Sequence, residues 1–297
     1  MAVADEEVNG DEPPSRRAAE PPSRGAAVPP SRRASTLSTQ AFMPITAVGR
    51  EPLPLTAWSS LRVFLWYFGT QLVVGGILGF FLGLKTGLGS EDAAAGIGDA
   101  TARYLIPFAV IGMVVAALVM FTKARQRFPS GSWPTIVAAL GWRAAPRRDI
   151  VVGSAAGVLL AAFYLLVLVR LFPPHPGQSF GPLSEAAASA STSVRVLFAL
   201  LAVFFAPPVE EFLFRGVLLT GFGNSWGAGP AALIVTILFA VGHMTEVRTY
   251  WPALLSISVL AALTMALRLR TRSLWPGIGM HAGYNAALMA TMLLNTG

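Results

Sequence analysis

The sequence predicts an all-α protein, a polytopic transmembrane helical bundle of about seven spans with its N-terminus inside. Three observations predict it. Of the 297 residues, 54% are hydrophobic and only 12% charged, with a mean hydropathy of +0.60, whereas soluble domains carry about 25% charge. Apolar stretches repeatedly approach or reach the ~20 residues a helix needs to cross hydrocarbon. Lysines and arginines gather between those stretches rather than across one face.

This composition argues against a soluble single-core enzyme. A formal charge of +7 and a pI near 10.5 suggest nucleic acid at first sight. The basic residues, however, sit in a polar tail and in short loops, which fits membrane orientation and no nucleic-acid partner. The chain has no cysteine, which excludes disulfides, thiolate zinc sites and thiol nucleophiles.

Residues 1–57 form a tail of different material. PPSR occurs at Pro13 to Arg16, Pro21 to Arg24 and Pro29 to Arg32, and a Pro, Ser, Arg and Ala tract buries too little to order itself. It lacks the apolar stretch and small-residue cleavage site of a signal peptide. Residues 58–297 are expected to form the transmembrane domain, with its chemistry in 194–297.

Spans are expected at 63–84, 104–122, 150–170, 194–219, 231–249, 251–267 and 274–294. The loop 123–149 carries six basic residues (Lys123, Arg125, Arg127, Arg143, Arg147 and Arg148), and Arg268, Arg270 and Arg272 follow the sixth span. Both loops fall on the inner side if the N-terminus is inside. In the first span, Gly75, Gly79 and Gly83 make a GxxxGxxxG stripe, which predicts close helix packing.

Ionisable residues inside spans cost about 2.5–3.5 kcal/mol each on insertion scales, so each needs a partner or a task. The fourth span contains Glu210, Glu211 and Arg215, the fifth His243 after Phe239, and the seventh His281 and Asn285. Residues four apart share a helix face. Glu211 is therefore placed to pair with Arg215, leaving Glu210, about 100° around the helix, to face elsewhere. At ~1.5 Å per residue from the expected cytoplasmic ends, Glu210 lies ~14 Å deep, His243 ~18 Å and His281 ~11 Å, so the three are expected to meet in one layer towards the cytoplasmic side.

Amide hydrolysis needs a base for water, donors for an oxyanion and an acid for the leaving nitrogen. A Glu, two imidazoles and a carboxamide supply these roles. The same Glu210, His243, His281 and Asn285 are also a ligand set for a divalent metal such as Zn, which would lower the pKa of bound water. Sequence alone leaves both open. No HExxH helix is present.

The runs EEFLFR (Glu210 to Arg215), FAVGH (Phe239 to His243) and HAGYN (His281 to Asn285) resemble the EExxxR, FxxxH and HxxxN motifs of the CAAX-protease and bacteriocin-processing family, which includes the Ras-converting CAAX endopeptidases. The resemblance covers about 90 residues and implies an intramembrane protease. It implies that Glu210 and His243 activate water, that His281 and Asn285 bind the oxyanion or a metal, and that Glu211, Arg215 and Phe239 support them. The partners it implies are membrane lipids and a membrane-associated peptide or protein substrate. Competing readings are a buried network that only fixes packing, a proton-coupled transporter, and a non-catalytic adaptor or immunity factor. A transporter predicts an inverted repeat, and the first half has no matching ionisable groups. The Ala-, Gly- and Arg-rich composition points to a high-GC bacterium, hence an integral protein of a bacterial cell membrane.

Overall fold

A computed structural model describes residues 55–87, 93–128, 131–175, 186–187, 190–244 and 250–294. The chain divides into two units, Met1–Leu37 and Ser38–Gly297, and the first lies outside these residues. So does the expected tail as far as residue 54. Leu55 is already buried and accepts a bond from Asn224 Nδ2 at 3.1 Å.

Among the described residues there is no strand, and eight helices of seven residues or more follow one another. We label them α1 (Ala57–Gly87), α2 (Ala93–Arg125), α3 (Trp133–Ala139), α4 (Arg147–Leu171), α5 (Thr192–Trp226), α6 (Ala228–Gly242), α7 (Trp251–Thr271) and α8 (Trp275–Leu294). Five of them, α1, α2, α4, α5 and α7, are long and apolar enough to cross a membrane. Large apolar side chains face outward along these helices, among them Leu72, Phe80, Phe81, Leu118, Leu159 and Phe204, as lipid-facing positions require. The protein is an all-α polytopic membrane bundle.

The other two expected spans are helices of different character. α6 has 15 residues, short of the ~20 a span needs. It ends at Gly242, inside the expected span 231–249, and residues 245–249 lie outside those described. α8 is long enough, but its Gly, His and Asn residues dilute its apolarity, and it is not among the five. α5 runs seven residues past its expected end, so Glu210 sits near the middle of the helix. The depth estimate from sequence, which took the helix to end at 219, changes accordingly.

α3 was not expected. Ser132 precedes it, with Pro134 in its first turn, and it closes in a Schellman motif: Trp142 N–H donates to Val137 O at 2.8 Å and Gly141 N–H to Ala138 O at 3.1 Å. Gly141 has φ 103°, a conformation that favours glycine. A Cβ at Gly141 would also stand 2.8 Å from the Arg268 guanidinium.

This segment joins the two basic loops. Leu274 N–H donates to Gly141 O at 2.8 Å, Ser273 Oγ to Arg143 O at 2.6 Å, and the Trp142 and Trp275 rings lie 5.7 Å apart. Loops 123–149 and 268–272 thus lie at one end of the bundle, as the count of basic residues expected. At the opposite end Tyr250 Oη donates to Phe172 O at 2.6 Å.

The glycine stripe is used differently from the expectation. A Cβ at Gly75, Gly79 or Gly83 would meet nothing within 4 Å, and these residues line a groove of about 240 Å³ between α1 and α2, with Gln71, Leu105 and Phe108. Close helix approach occurs instead between α4 and α8. A Cβ at Gly153 would collide with the Pro276 carbonyl, at Gly157 with that of Met280, and at Gly283 with the Ser154 backbone. Apolar side chains gain nothing by leaving lipid for one another, so two small-xxx-small faces that admit backbone to backbone are a main source of association here.

Gly157→Ala is therefore expected to destabilise the bundle by about 1–3 kcal/mol, the usual cost of overpacking. Gly79→Ala should stay within about 1 kcal/mol of the parent, since alanine also favours helix. Thermal unfolding in detergent of both variants checks the contrast, and equal losses would refute the α4–α8 seam.

Candidate active site

Proline and helix geometry set the site's local backbone. Pro207 and Pro208 lie inside α5 and have no N–H to donate. The chain accommodates them with a π turn at Leu201–Phe205, where Ala206 N–H reaches five residues back to Leu201 O. A second π turn, Phe212–Leu218, follows the two glutamates. π turns widen a helix by one residue and occur often at functional sites. Here they bracket Glu210 and Glu211.

Glu211 and Arg215 form the pair expected from their spacing. Glu211 Oε1 lies 3.2 Å from Arg215 Nη1, and the side chains are 1% and 0% exposed. The guanidinium is held from α7 as well: Nη2 donates to Thr264 Oγ1 at 2.7 Å and to Ala261 O at 3.1 Å. The Phe239 ring covers it, its centroid 4.2 Å from Cζ. Burying such a pair costs several kcal/mol per ion in desolvation, which these added contacts offset in part, while both Glu211 oxygens and Arg215 Nε and Nη1 have no hydrogen-bond partner.

Glu210 faces the two imidazoles. Its Oε2 lies 3.8 Å from His243 Nε2 and 3.9 Å from His281 Nε2, and its side chain is 15% exposed. Both separations exceed a hydrogen bond, and Oε2 has no hydrogen-bond partner. His281 also lies 3.4 Å from Glu211 Oε1 through Nδ1, so one ring stands between both carboxylates. Phe239 packs against the His243 ring at 4.6 Å and the His281 ring at 5.7 Å, uniting the arginine and both histidines around one aromatic ring.

His243 stands at the end of α6 rather than within a span. Its Nδ1 is 2.8 Å from Phe239 O. A carbonyl only accepts, so Nδ1 carries the proton, and in the neutral ring Nε2 keeps its lone pair towards Glu210. This bond also satisfies one of the carbonyls that a helix terminus leaves open.

Asn285 does not join the carboxylate–imidazole contacts. Its Nδ2 donates to Ala202 O at 2.7 Å. Among the described residues no three His, Asp or Glu side chains are arranged to hold a metal ion. Glu210 and the two Nε2 atoms stand wider than ligands converging on a zinc at ~2.0–2.2 Å, and the Asn285 amide is directed elsewhere. No step below uses a metal at Glu210, His243, His281 and Asn285.

The structure also adds residues that sequence reading passed over. Thr264 and Arg268 lie on α7, which carries no motif, yet Ala261, Thr264 and Arg268 share a face by spacing alone. Arg268 Nε donates to Arg215 O at 3.1 Å. From α1, the buried Tyr67 hydrogen-bonds with Gln71 and lies within electrostatic reach of Glu210. Phe68 reaches Gly242, beside His243.

Comparison with known proteins adds a family match. Residues 192–287 match the family model described as type II CAAX prenyl endopeptidase Rce1-like. A search of curated proteins returned no match, and neither did one of solved structures. The matched segment runs from the start of α5 to Asn285 and beyond, and takes in Glu210, His243 and His281 together. The segment that carries the site is thus similar to the type II CAAX prenyl endopeptidases of the Rce1-like family.

Proposed function

We propose that this protein is an intramembrane endopeptidase that hydrolyses a peptide bond of a membrane-associated protein or peptide with water activated by Glu210. The observation that carries this reading is the unpartnered Glu210 Oε2 facing two Nε2 atoms at 3.8 and 3.9 Å. A hydrogen-bonded water spans such a separation between two groups.

In the proposed reaction the water donates to Glu210 Oε2 and to the lone pair of His243 Nε2, which orients it. Glu210 takes the proton as the water oxygen attacks the carbonyl carbon. A protonated nitrogen of His281, 5% exposed, donates to the oxyanion that forms. Glu210 then returns its proton to the leaving nitrogen, so acid and base are one group in turn. Glu211 and Arg215 supply a fixed, nearly neutral background, leaving the Glu210 charge as the mobile one.

The basic end of the bundle, with Arg143, Arg147, Arg148, Arg268, Arg270 and Arg272, is assigned to the cytoplasm by the positive-inside rule. On that assignment the N-terminus is inside, and the location we propose is a bacterial cell membrane. The same domain reading takes 58–297 as the membrane unit and 1–57 as an appended tail.

Reconstituted protein, given a library of prenylated and unmodified peptides, should cleave at least one of them. Glu210→Ala should slow that cleavage about 10²–10⁴-fold, the range for a general base, and chelation with metal add-back should leave the rate unchanged. Cleavage that persists in both Glu210→Ala and His281→Ala would overturn the site, and a rate that falls on chelation and returns on add-back would overturn the metal-free route.

Arg215→Met leaves Glu211 buried without its counter-charge and should cost about 3–5 kcal/mol. Adding Glu211→Gln should recover much of it. Unfolding of the single and double variants in detergent decides whether the pair is coupled.

A further inference from the structure

In each π turn of α5 a backbone carbonyl accepts from a side chain of another helix. In the first, Ala206 N–H bonds to Leu201 O, and the next residue in line is Pro207, which has no N–H. Ala202 O is therefore bypassed, and it accepts from Asn285 Nδ2 at 2.7 Å. In the second, Leu219 N–H bonds to Gly216 O and Phe214 O, passing over Arg215 O. That carbonyl accepts from Arg268 Nε at 3.1 Å.

We propose that Asn285 and Arg268 are positioning residues that clamp the two π turns and so fix the rotation of Glu210 and Glu211 towards the imidazoles. A carbonyl without a donor inside the bundle costs about 1–3 kcal/mol, so each clamp selects the widened helix over a regular one. The geometry between the clamps sets what faces what. A residue added to or removed from a helix turn rotates everything beyond it by about 100°, enough to carry Glu210 away from both Nε2 atoms. Asn285 sits one turn beyond His281 on α8, so the same helix that presents His281 also holds the start of the glutamate segment. Arg268 sits one turn beyond Thr264 on α7, so the helix that binds Arg215 by its side chain also binds it by its backbone. Arg268 is further locked by Leu140 O at 3.5 Å and by Gly141, whose missing Cβ leaves room for the guanidinium.

This inference rests on the proposed reaction only for the word positioning; the clamps themselves are tested by stability. Pro207→Ala restores an N–H at that position, and whether the turn stays π or reverts to α, Ala202 O regains a backbone donor. Asn285→Ala is therefore expected to lower the unfolding temperature in the parent but markedly less in a Pro207→Ala background. Equal lowering in both would overturn the Asn285 clamp, whether or not the protein proves to be a protease. Pro207→Ala should not rescue Arg268→Met, because that clamp acts on the other π turn; rescue there would also overturn the assignment. For the positioning role, cleavage by Asn285→Ala is measured in both backgrounds. A lowered kcat with KM little changed is expected in the parent, and a smaller loss with Pro207→Ala present. Equal loss in both would mean that Asn285 acts other than through Ala202 O, and would overturn its role as a positioning residue.

Discussion

The buried ion pair between Glu211 and Arg215 is the constraint around which the segment 192–287 is arranged. Two full charges at 3.2 Å, nearly inaccessible to solvent, are costly to bury, and the pair draws on whatever contacts the neighbouring helices offer. Thr264 and Ala261 meet two of the arginine's donors, Phe239 covers the plane of its guanidinium, and His281 approaches the carboxylate from α8. Each helix of the site is therefore committed to the pair before any reaction is considered. Glu210, the next residue along, inherits a position set by its neighbour's needs.

The backbone of α5 reflects the same demand. A regular helix through two prolines would lose donors and clash with the preceding turn. A π turn before them and another after the glutamates relieve this locally, at the cost of carbonyls that must be satisfied from outside. Asn285 and Arg268 supply the donors. Function-bearing irregularity and long-range hydrogen bonding are thus one feature: the helix deviates where other helices reach in to hold it.

The rest of the bundle provides a rigid frame at small energetic cost. Glycines bring α4 and α8 backbone to backbone, which anchors the helix bearing His281 and Asn285. The unexpected α3 and its Gly141 turn tie the two basic loops together and give Arg268 its pocket. Most of the exposed surface of α1 is apolar and faces lipid, while its Phe64 and Phe68 pack inward against Phe214 and Gly242.

Much of this was determined by sequence alone. Low charge and long apolar runs dictate a membrane helix bundle, because hydrocarbon accepts only backbone that is hydrogen-bonded within its own segment. The i,i+4 spacing of Glu211 and Arg215 dictates their pairing, and the rarity of ionisable groups in spans singles out Glu210, His243 and His281. Tertiary structure alone decided three matters. Helix ends depend on what packs there, so α5 outran its expected end and α6 stopped at His243. A glycine stripe reports only that a close approach is permitted, so Gly75, Gly79 and Gly83 line a groove while Gly153, Gly157 and Gly283 make the contact. The partner of Asn285 depends on which carbonyl a distant π turn leaves open, and no local spacing encodes that, because the hydrogen bond is chosen between helices more than eighty residues apart.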